Sequence, residues 1–314
     1  MLLVVSALSY AVFFLLPADP AQLSCGRPCT PQGLATARAF MGYDKPPWQQ
    51  YLAFLGGIVA GRDYGTGPAS IHCGAPCFGY SFQLNAPVTQ LVLERIPVTF
   101  SIAAGAAVLW LLLGVSAGSL SAVRRGTLVD RAAMALAVGG VSAPSYLVGL
   151  LGILVFGFTL NMVPVNGYVP LTLNPVQWAW HLVLPWCVLA VLHAAAYARL
   201  TRAQMLDVLG EDYIRTARAK GLRERRVIGR HALRNVLIPV VTLFGLDLGQ
   251  LLGGAVITER VFSMPGLGAL LLDGVANLDL PLVVGVTLFA AFLIILANAA
   301  VDLLYGVIDP RVSY

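Results

Sequence analysis

Charge is scarce in this chain. Asp, Glu, Lys and Arg make up 11% of its 314 residues, only 15 of them acidic, while 58% are hydrophobic. The mean hydropathy is +0.79. A water-soluble domain of this length needs far more charge to cover its surface, so a soluble globular class is excluded and an all-α integral membrane protein is indicated. Also absent is a Gly-rich phosphate loop closed by Lys-Ser or Lys-Thr, which excludes an ATPase site on the chain itself. No Ser-His-Asp or paired-carboxylate arrangement stands out, and the chain is read as non-catalytic. His181 and His193 lie in or at an apolar run without a third ligand at metal spacing, so no metal site is expected and hydrogen bonding between helices is. The aromatic interleaving and polar platform of a nucleic-acid binder are missing as well. The net charge of +5 therefore belongs to basic loops beside a membrane.

Long apolar runs are what the sequence does have. A bilayer-crossing helix needs roughly 20 mostly apolar residues. Val98–Val123 contains no charge and follows Pro97, which suits a helix start. Residues 132–198 are also uncharged but are interrupted by NMVPVNGYVPLTLNPVQW (161–178). The prolines, asparagines and glycine of that stretch mark a loop, leaving spans at about 132–160 and 181–200. Asn235–Thr258 and Leu280–Val301 are further spans, the first carrying Asp247, the last continuing through Asp302. Leu2–Leu16 would reach only ~22 Å against the ~30 Å hydrocarbon core. It has no positive charge before Arg27 and so lacks a signal peptide's n-region. It reads as a first span whose cytoplasmic end is missing or assigned too short, and six spans result.

Lys and Arg set the orientation. Arg124, Arg125 and Arg131 follow the second span, and Arg199, Arg202 and eight more cations follow the fourth; the loop after the third has none and the loop after the fifth only Arg260. The positive-inside rule then places both termini in the cytoplasm. The domain reading is helix 1 at 1–17, an extracytoplasmic segment at 18–95 and a core of helices 2–6 at 96–314.

The densest charge lies in DYIRTARAKGLRERRVIGRHALRNVLIP (212–239), which holds eight of the twenty Lys and Arg residues. A basic run is usually a solvated face. Here, however, Ile214, Ala217, Leu222, Val227, Ile228, Ala232 and Leu233 recur among the arginines, and Gly221 separates two helix-compatible halves. Glycine lets a helix end in a left-handed turn, so helix–Gly–helix is the local reading. A membrane-surface anchor favours one continuous amphipathic helix, whereas a protrusion docking into another protein accommodates the break. Composition leaves both open.

The stretch resembles the cytoplasmic coupling loop, or EAA loop, of permease subunits of binding-protein-dependent ABC importers, and in particular the dipeptide/oligopeptide/nickel branch. The family's Glu-Ala-Ala then Gly pattern falls on Arg215, Thr216, Ala217 and Gly221, of which Ala217 and Gly221 match; its closing proline falls on Arg234, with Pro239 five residues on. YIRTARAKGL followed by RHALRN and IPV is similar to the branch's form of this loop. PADPA (17–21), MGYDKPPWQQYLAFLGGIVAGRDYG (41–65), ERIPVT (94–99), LLGGAVITERVFSMPGLGALLLD (251–273) and VDLLYGVIDPRVSY (301–314) resemble its other ordered motifs. The resemblance implies the type I importer permease fold in the cytoplasmic membrane of a prokaryote. It also implies a second homologous permease, an extracytoplasmic solute-binding protein and surrounding lipid as partners. Two ATP-binding cassette subunits would hold ATP and Mg²⁺, with no cofactor on this chain. The coupling loop at about 207–235 would meet an ATPase through Arg215, Thr216, Ala217, Ala219, Lys220, Gly221, Leu222, Arg230 and Arg234. The implied cargo is di- or oligopeptides, with nickel, glutathione or another chelate as alternatives. A self-sufficient secondary transporter would instead predict an internal repeat and several coupled intramembrane ionisable groups. A membrane enzyme or assembly scaffold would need chemistry in residues 18–95.

Four of the five cysteines form CGRPC (25–29) and CGAPC (73–77), a spacing that is neither a redox-active pair nor a zinc knuckle. Cys25, Cys29, Cys73 and Cys77 allow three pairings. Two local loops would stabilise by ~2 kcal/mol each and a cross-cluster staple closing about 50 residues by ~4, so the staple is the better stabiliser. Cys187, alone in a span, is read as packing. Asp247, with Gln250 one turn on, either faces the translocation path and meets a substrate's ammonium group or makes a polar contact to the partner permease. Asp302 is read as a structural pair or cap, and GQLLGG (249–254) as a site of close helix approach.

Overall fold

A computed structural model of the chain describes residues 2–15, 21–22, 29–42, 45–65, 70–81 and 83–308. Those residues are predominantly helical and fall into two compact units. One is formed by residues 1–99 with 265–293, the other by 100–264 with 294–314.

In the first unit, α1 (Leu2–Leu15) packs beside α3 (Pro47–Ala60). Tyr10 and Phe54 bury against Val284 and Leu288 of α12 (Leu280–Ile308). The Tyr51 hydroxyl meets the Ser6 hydroxyl at 2.8 Å. Between them, α2 (Pro31–Met41) starts at Thr30, whose Oγ1 accepts from Gly33 N, and stops at Gly42 in the left-handed conformation. Two short antiparallel ladders follow: β1 (Arg62–Tyr64) with β2 (Ile71–Cys73), and β3 (Tyr80–Ser81) with β4 (Ala86–Pro87). Phe40, Tyr64 and Tyr80 pack around Cys73 and Cys77.

The sulfur pairing corrects the expected staple. Cys73 is bonded to Cys77, with their Cα atoms 5.6 Å apart. The tight turn after β2 brings these two thiols together, and proximity decides over the larger entropy gain of a long loop. Cys29 is also disulfide-bonded, and Cys25 lies outside the described residues.

The apolar runs become helices, with shifted ends. α4 (Val88–Val123) begins well before Pro97, which sits inside it. Proline within a helix forfeits one backbone bond, a cost that surrounding packing absorbs. The expected third span is instead α5 (Leu128–Ser142) and α6 (Ser145–Thr159), bent by 104° at their junction. Pro144 is the cause, because the residue before a proline avoids the helical region, and Ala143 is extended at φ −82°, ψ 128°. Next, α7 (Pro175–Leu209) starts earlier than expected because Asn174 caps it, its side chain accepting from Val176 N and Gln177 N at 3.1 Å each. Then α8 (Asp212–Ala219) leads to α9 (Glu224–Leu252). Finally α10 (Val256–Val261) and α11 (Leu267–Ala276) precede α12.

Among the described residues, four helices are long and apolar enough to cross a membrane, and five spans result if the bent α5–α6 pair counts as one. At 14 residues, α1 is shorter than a span requires. The six-span expectation is met only to that extent. Close approach in the second unit uses small residues. A Cβ on Gly114 or Gly118 of α4 would meet the α7 backbone at 3.0 or 2.5 Å. Gly249 of α9, within the GQLLGG run, lies against Ala297 and Ile294 of α12 in the same way.

Candidate functional site

The basic stretch folds as two helices joined at Gly221. The first, α8, ends in a complete left-handed cap. Gly221 N donates to Arg218 O at 2.9 Å and Leu222 N donates to Ala217 O at 3.3 Å, with Gly221 at φ +75°. That pair of bonds satisfies carbonyls that would otherwise be orphaned, and it needs a residue that tolerates positive φ. Leu222 then turns back onto the cluster that contains Ala217. Ile214 and Ala217 of α8 bury with Met205 of α7, Ala122 of α4 and Val227, Ala232 and Val236 of α9. The stretch from Val227 to Ala232 is a π-turn. Its one extra residue per turn brings Val227 and Ala232, five apart, onto the same buried face.

Polar contacts brace the turn. The Arg218 guanidinium donates to both oxygens of Glu224, Nη2 to Oε1 at 2.6 Å and Nε to Oε2 at 3.2 Å. The same carboxylate raises the Arg218 pKa above its ordinary value. Arg215 meets Asp212 at 3.4 Å, and Asn235 Nδ2 donates to the Tyr213 hydroxyl at 2.7 Å. All eight cations from Arg215 to Arg234 are exposed. Among the described residues, Lys220, Arg223, Arg225, Arg226, Arg230 and Arg234 have no carboxylate within 4.0 Å. Thr216, Ala219 and Lys220 face solvent on α8, whereas Ala217 faces inward. Arg230 and Arg234 lie on α9, away from the buried face.

A partly buried ion pair lies beside this loop. Arg202 of α7 holds Asp130 of α5 through two bonds, Nε to Oδ1 at 2.7 Å and Nη2 to Oδ2 at 2.9 Å. The same carboxylate accepts from Ser121 Oγ of α4 and from Gly126 N at 2.9 Å. One carboxylate therefore joins the end of α4, the turn after it, the start of α5 and the stretch of α7 that leads into the loop. The sequence signal was present: Thr127-Leu-Val-Asp130 is a helix-start box. Thr127 does cap α5.

The other predicted residues are spread apart. Asp247 of α9 accepts from the Tyr197 hydroxyl of α7 at 2.9 Å, an internal partner not foreseen, while Gln250 is exposed. His181 and His193 each donate from Nδ1 to a carbonyl one turn back, Gln177 O and Leu189 O, so they bond within their own helix and not between helices. Among the described residues no three His, Cys, Asp or Glu side chains group as a metal site. Cys187 is exposed and not in the core. The side chain of Asp302 lies outside the described residues.

The helical fold with several candidate membrane spans and a basic, capped helix–Gly–helix loop fits the class of membrane transport subunits. Within that class the chain is a member of the family described as binding-protein-dependent transport system inner membrane component, matched over residues 93–314, with the matching N-terminal family over residues 1–103. It is 38% identical to a putative peptide transport system permease protein of Brucella abortus (strain 2308), covering 100% of this chain and 95% of that one. It is also 38% identical to the dipeptide transport system permease protein DppB of Escherichia coli (strain K12), covering 99% and 94%, and to a di/tripeptide transport system permease protein DppB of Pseudomonas aeruginosa (strain UCBPP-PA14), again covering 99% and 94%. In fold it is similar to a chain of the MetNI methionine ABC transporter in an inward-facing conformation, at 18% identity and a TM-score of 0.54, covering 70% of this chain and 97% of that one. The chain is thus a permease component of a binding-protein-dependent ABC importer in the inner membrane.

Proposed function

We propose that this chain is one of two permeases forming the translocation path of a type I importer for di- or oligopeptides, and that α8 with the Gly221 turn is its coupling element. A partner ATPase hydrolyses ATP; this chain transmits the resulting movement. The observation that carries the reading is the self-capped turn at Gly221 set on a buried cluster shared by α4, α7, α8 and α9. A load applied to α8 reaches three membrane-embedded helices through apolar contacts, and close-packed cores shift as units instead of deforming smoothly. Arg215, Thr216, Ala219 and Lys220 form the exposed face that an ATPase cleft would receive. The peptide cargo is supported by relatives named as peptide, dipeptide and di/tripeptide permeases, aligned over nearly their whole length.

The test is Gly221→Val in the assembled importer. A Cβ there meets open space but is forced into positive φ, which costs an L-residue about 1–2 kcal/mol. The turn should reopen while α8 stays attached. ATP hydrolysis should continue in the purified complex and peptide uptake should fall at least several-fold. Uptake equal to that of the unaltered protein would remove Gly221 and its turn from the coupling role.

A further inference from the structure

The exposed side of α9 carries charge outside the α8 face proposed to receive an ATPase, including Arg230 and Arg234, which the family resemblance would set against that ATPase. Along this helix Val227, Ala232, Val236 and Val240 are buried, and Arg226, Arg230 and Arg234 are exposed between them at intervals of four. α8 packs on the buried side, against Val227, Ala232 and Val236. Among the described residues none of the three arginines has a carboxylate within 4.0 Å, whereas Arg215 and Arg218 each have one. Immediately beyond Arg234 the helix turns apolar, through Val236, Leu237, Ile238, Val240 and Val241. That order of charge and then apolar run would place the arginines at headgroup depth if the apolar run enters the hydrocarbon.

We propose that Arg226, Arg230 and Arg234 form a seat for the phosphates of anionic lipid headgroups in the leaflet bordering this end of α9. A guanidinium fork matches two phosphate oxygens at once and is less strongly hydrated than an ammonium group. Arg residues four apart on a helix are stacked about 6 Å from one another along its axis, so the stripe presents successive cations to one lipid surface. Lipid phosphate complements the charge without a carboxylate from the chain. The π-turn fixes which side that stripe faces: without its extra residue Val227 and Ala232 would not share the buried face.

The test uses the intact importer in nanodiscs of phosphatidylcholine mixed with phosphatidylglycerol. The complex is then extracted in mild detergent, and the retained lipids and subunits are counted by mass spectrometry. The unaltered protein should keep phosphatidylglycerol in several-fold preference. The triple variant R226K/R230K/R234K should keep most of that preference, and R226Q/R230Q/R234Q should lose it while retaining its ATPase subunits. Unchanged phosphatidylglycerol in the Gln variant overturns the proposal. So does release of the ATPase subunits from it, which would assign these arginines to protein contact. If the triple Gln variant is not recovered, Arg234→Gln alone is read the same way, with a smaller expected loss. The readout is lipid and not uptake, so its failure leaves the coupling role of Gly221 standing, and the reverse also holds.

Discussion

Asp279 performs two tasks with one buried carboxyl. It accepts from Leu282 N at 3.3 Å, capping α12, and it accepts from the Ser81 hydroxyl at the end of β3. Burial pushes its pKa above the ordinary value, and the Ser81 and Leu282 bonds offset that only in part. In the unfolded chain the group titrates near ~3.9. Because the folded value is the higher one, the folded state binds the proton more tightly. Its contribution to stability is therefore least favourable above the folded pKa and improves as pH falls through it, opposite to a salt-bridged carboxylate. Asp279→Asn removes the charge, keeps one oxygen to accept from Leu282 N, and places an amide N–H against the Ser81 hydroxyl, which then turns to accept. The variant should melt at the same or a higher temperature at neutral pH, and the gain in melting temperature that the unaltered protein shows on mild acidification should shrink. An unchanged pH dependence would mean that another group is responsible. Asp279 was legible in principle, since Asp followed by Leu-Pro is a helix-start signal. Its second partner, Ser81, is 198 residues away in sequence, which no local pattern reveals.

At the scale of elements, the coupling loop lets three effects be ranked. Ile214 is fully buried, and its truncation to Ala should cost about 3 kcal/mol of local order through the cavity left in the cluster. Gly221→Ala should cost about 1 kcal/mol by forcing a Cβ into the left-handed region. The Arg218–Glu224 pair is 41% and 52% exposed, so solvent screening limits Arg218→Ala to about 0.5 kcal/mol. Amide exchange across residues 212–235 should therefore speed up most in Ile214→Ala, less in Gly221→Ala and least in Arg218→Ala. A larger effect from Arg218→Ala would make the ion pair, and not packing, the main brace. The helix–Gly–helix form was readable beforehand because it is local: a glycine between two half-apolar segments admits few other structures. The π-turn was not readable, because an extra residue in a helix is selected by what lies across from it. The break at Pro144 was available in the sequence as an Ala-Pro step but was hidden inside an uncharged run that satisfied the length of a span. Pro97 erred in the other direction, a proline read as a helix start that packing retains inside α4. The Cys73–Cys77 bond shows the same limit, since loop entropy is a property of the unfolded chain and says nothing of which thiols the fold brings together.

At the scale of the whole molecule, apolar surface stays exposed on many of the membrane-crossing helices, including Leu112 and Leu113 on α4, Leu136 and Val138 on α5, Leu150 and Phe158 on α6, and Leu246 on α9. Scattered exposed apolar residues need no explanation, but surface of this kind in a membrane protein meets either lipid or another helix. A second permease would cover part of it. In the proposed reading, transport also depends on partner subunits that hydrolyse ATP. Both requirements are testable in one experiment, in which the chain is tagged in its native membrane, extracted in mild detergent and analysed for what accompanies it. A second permease and two ATP-binding subunits are expected, in stoichiometric amounts. Gly221→Val should bring down the same set, because the α8 contact face remains exposed on a folded cluster and only the turn behind it is strained. Ile214→Ala should bring down less ATPase, because the contact face itself loses its support. Recovery of the chain alone across all detergents tried, with its thermal melting unchanged, would argue that the loop does not hold an ATPase. The capped turn at Gly221 would then need a different partner within the importer.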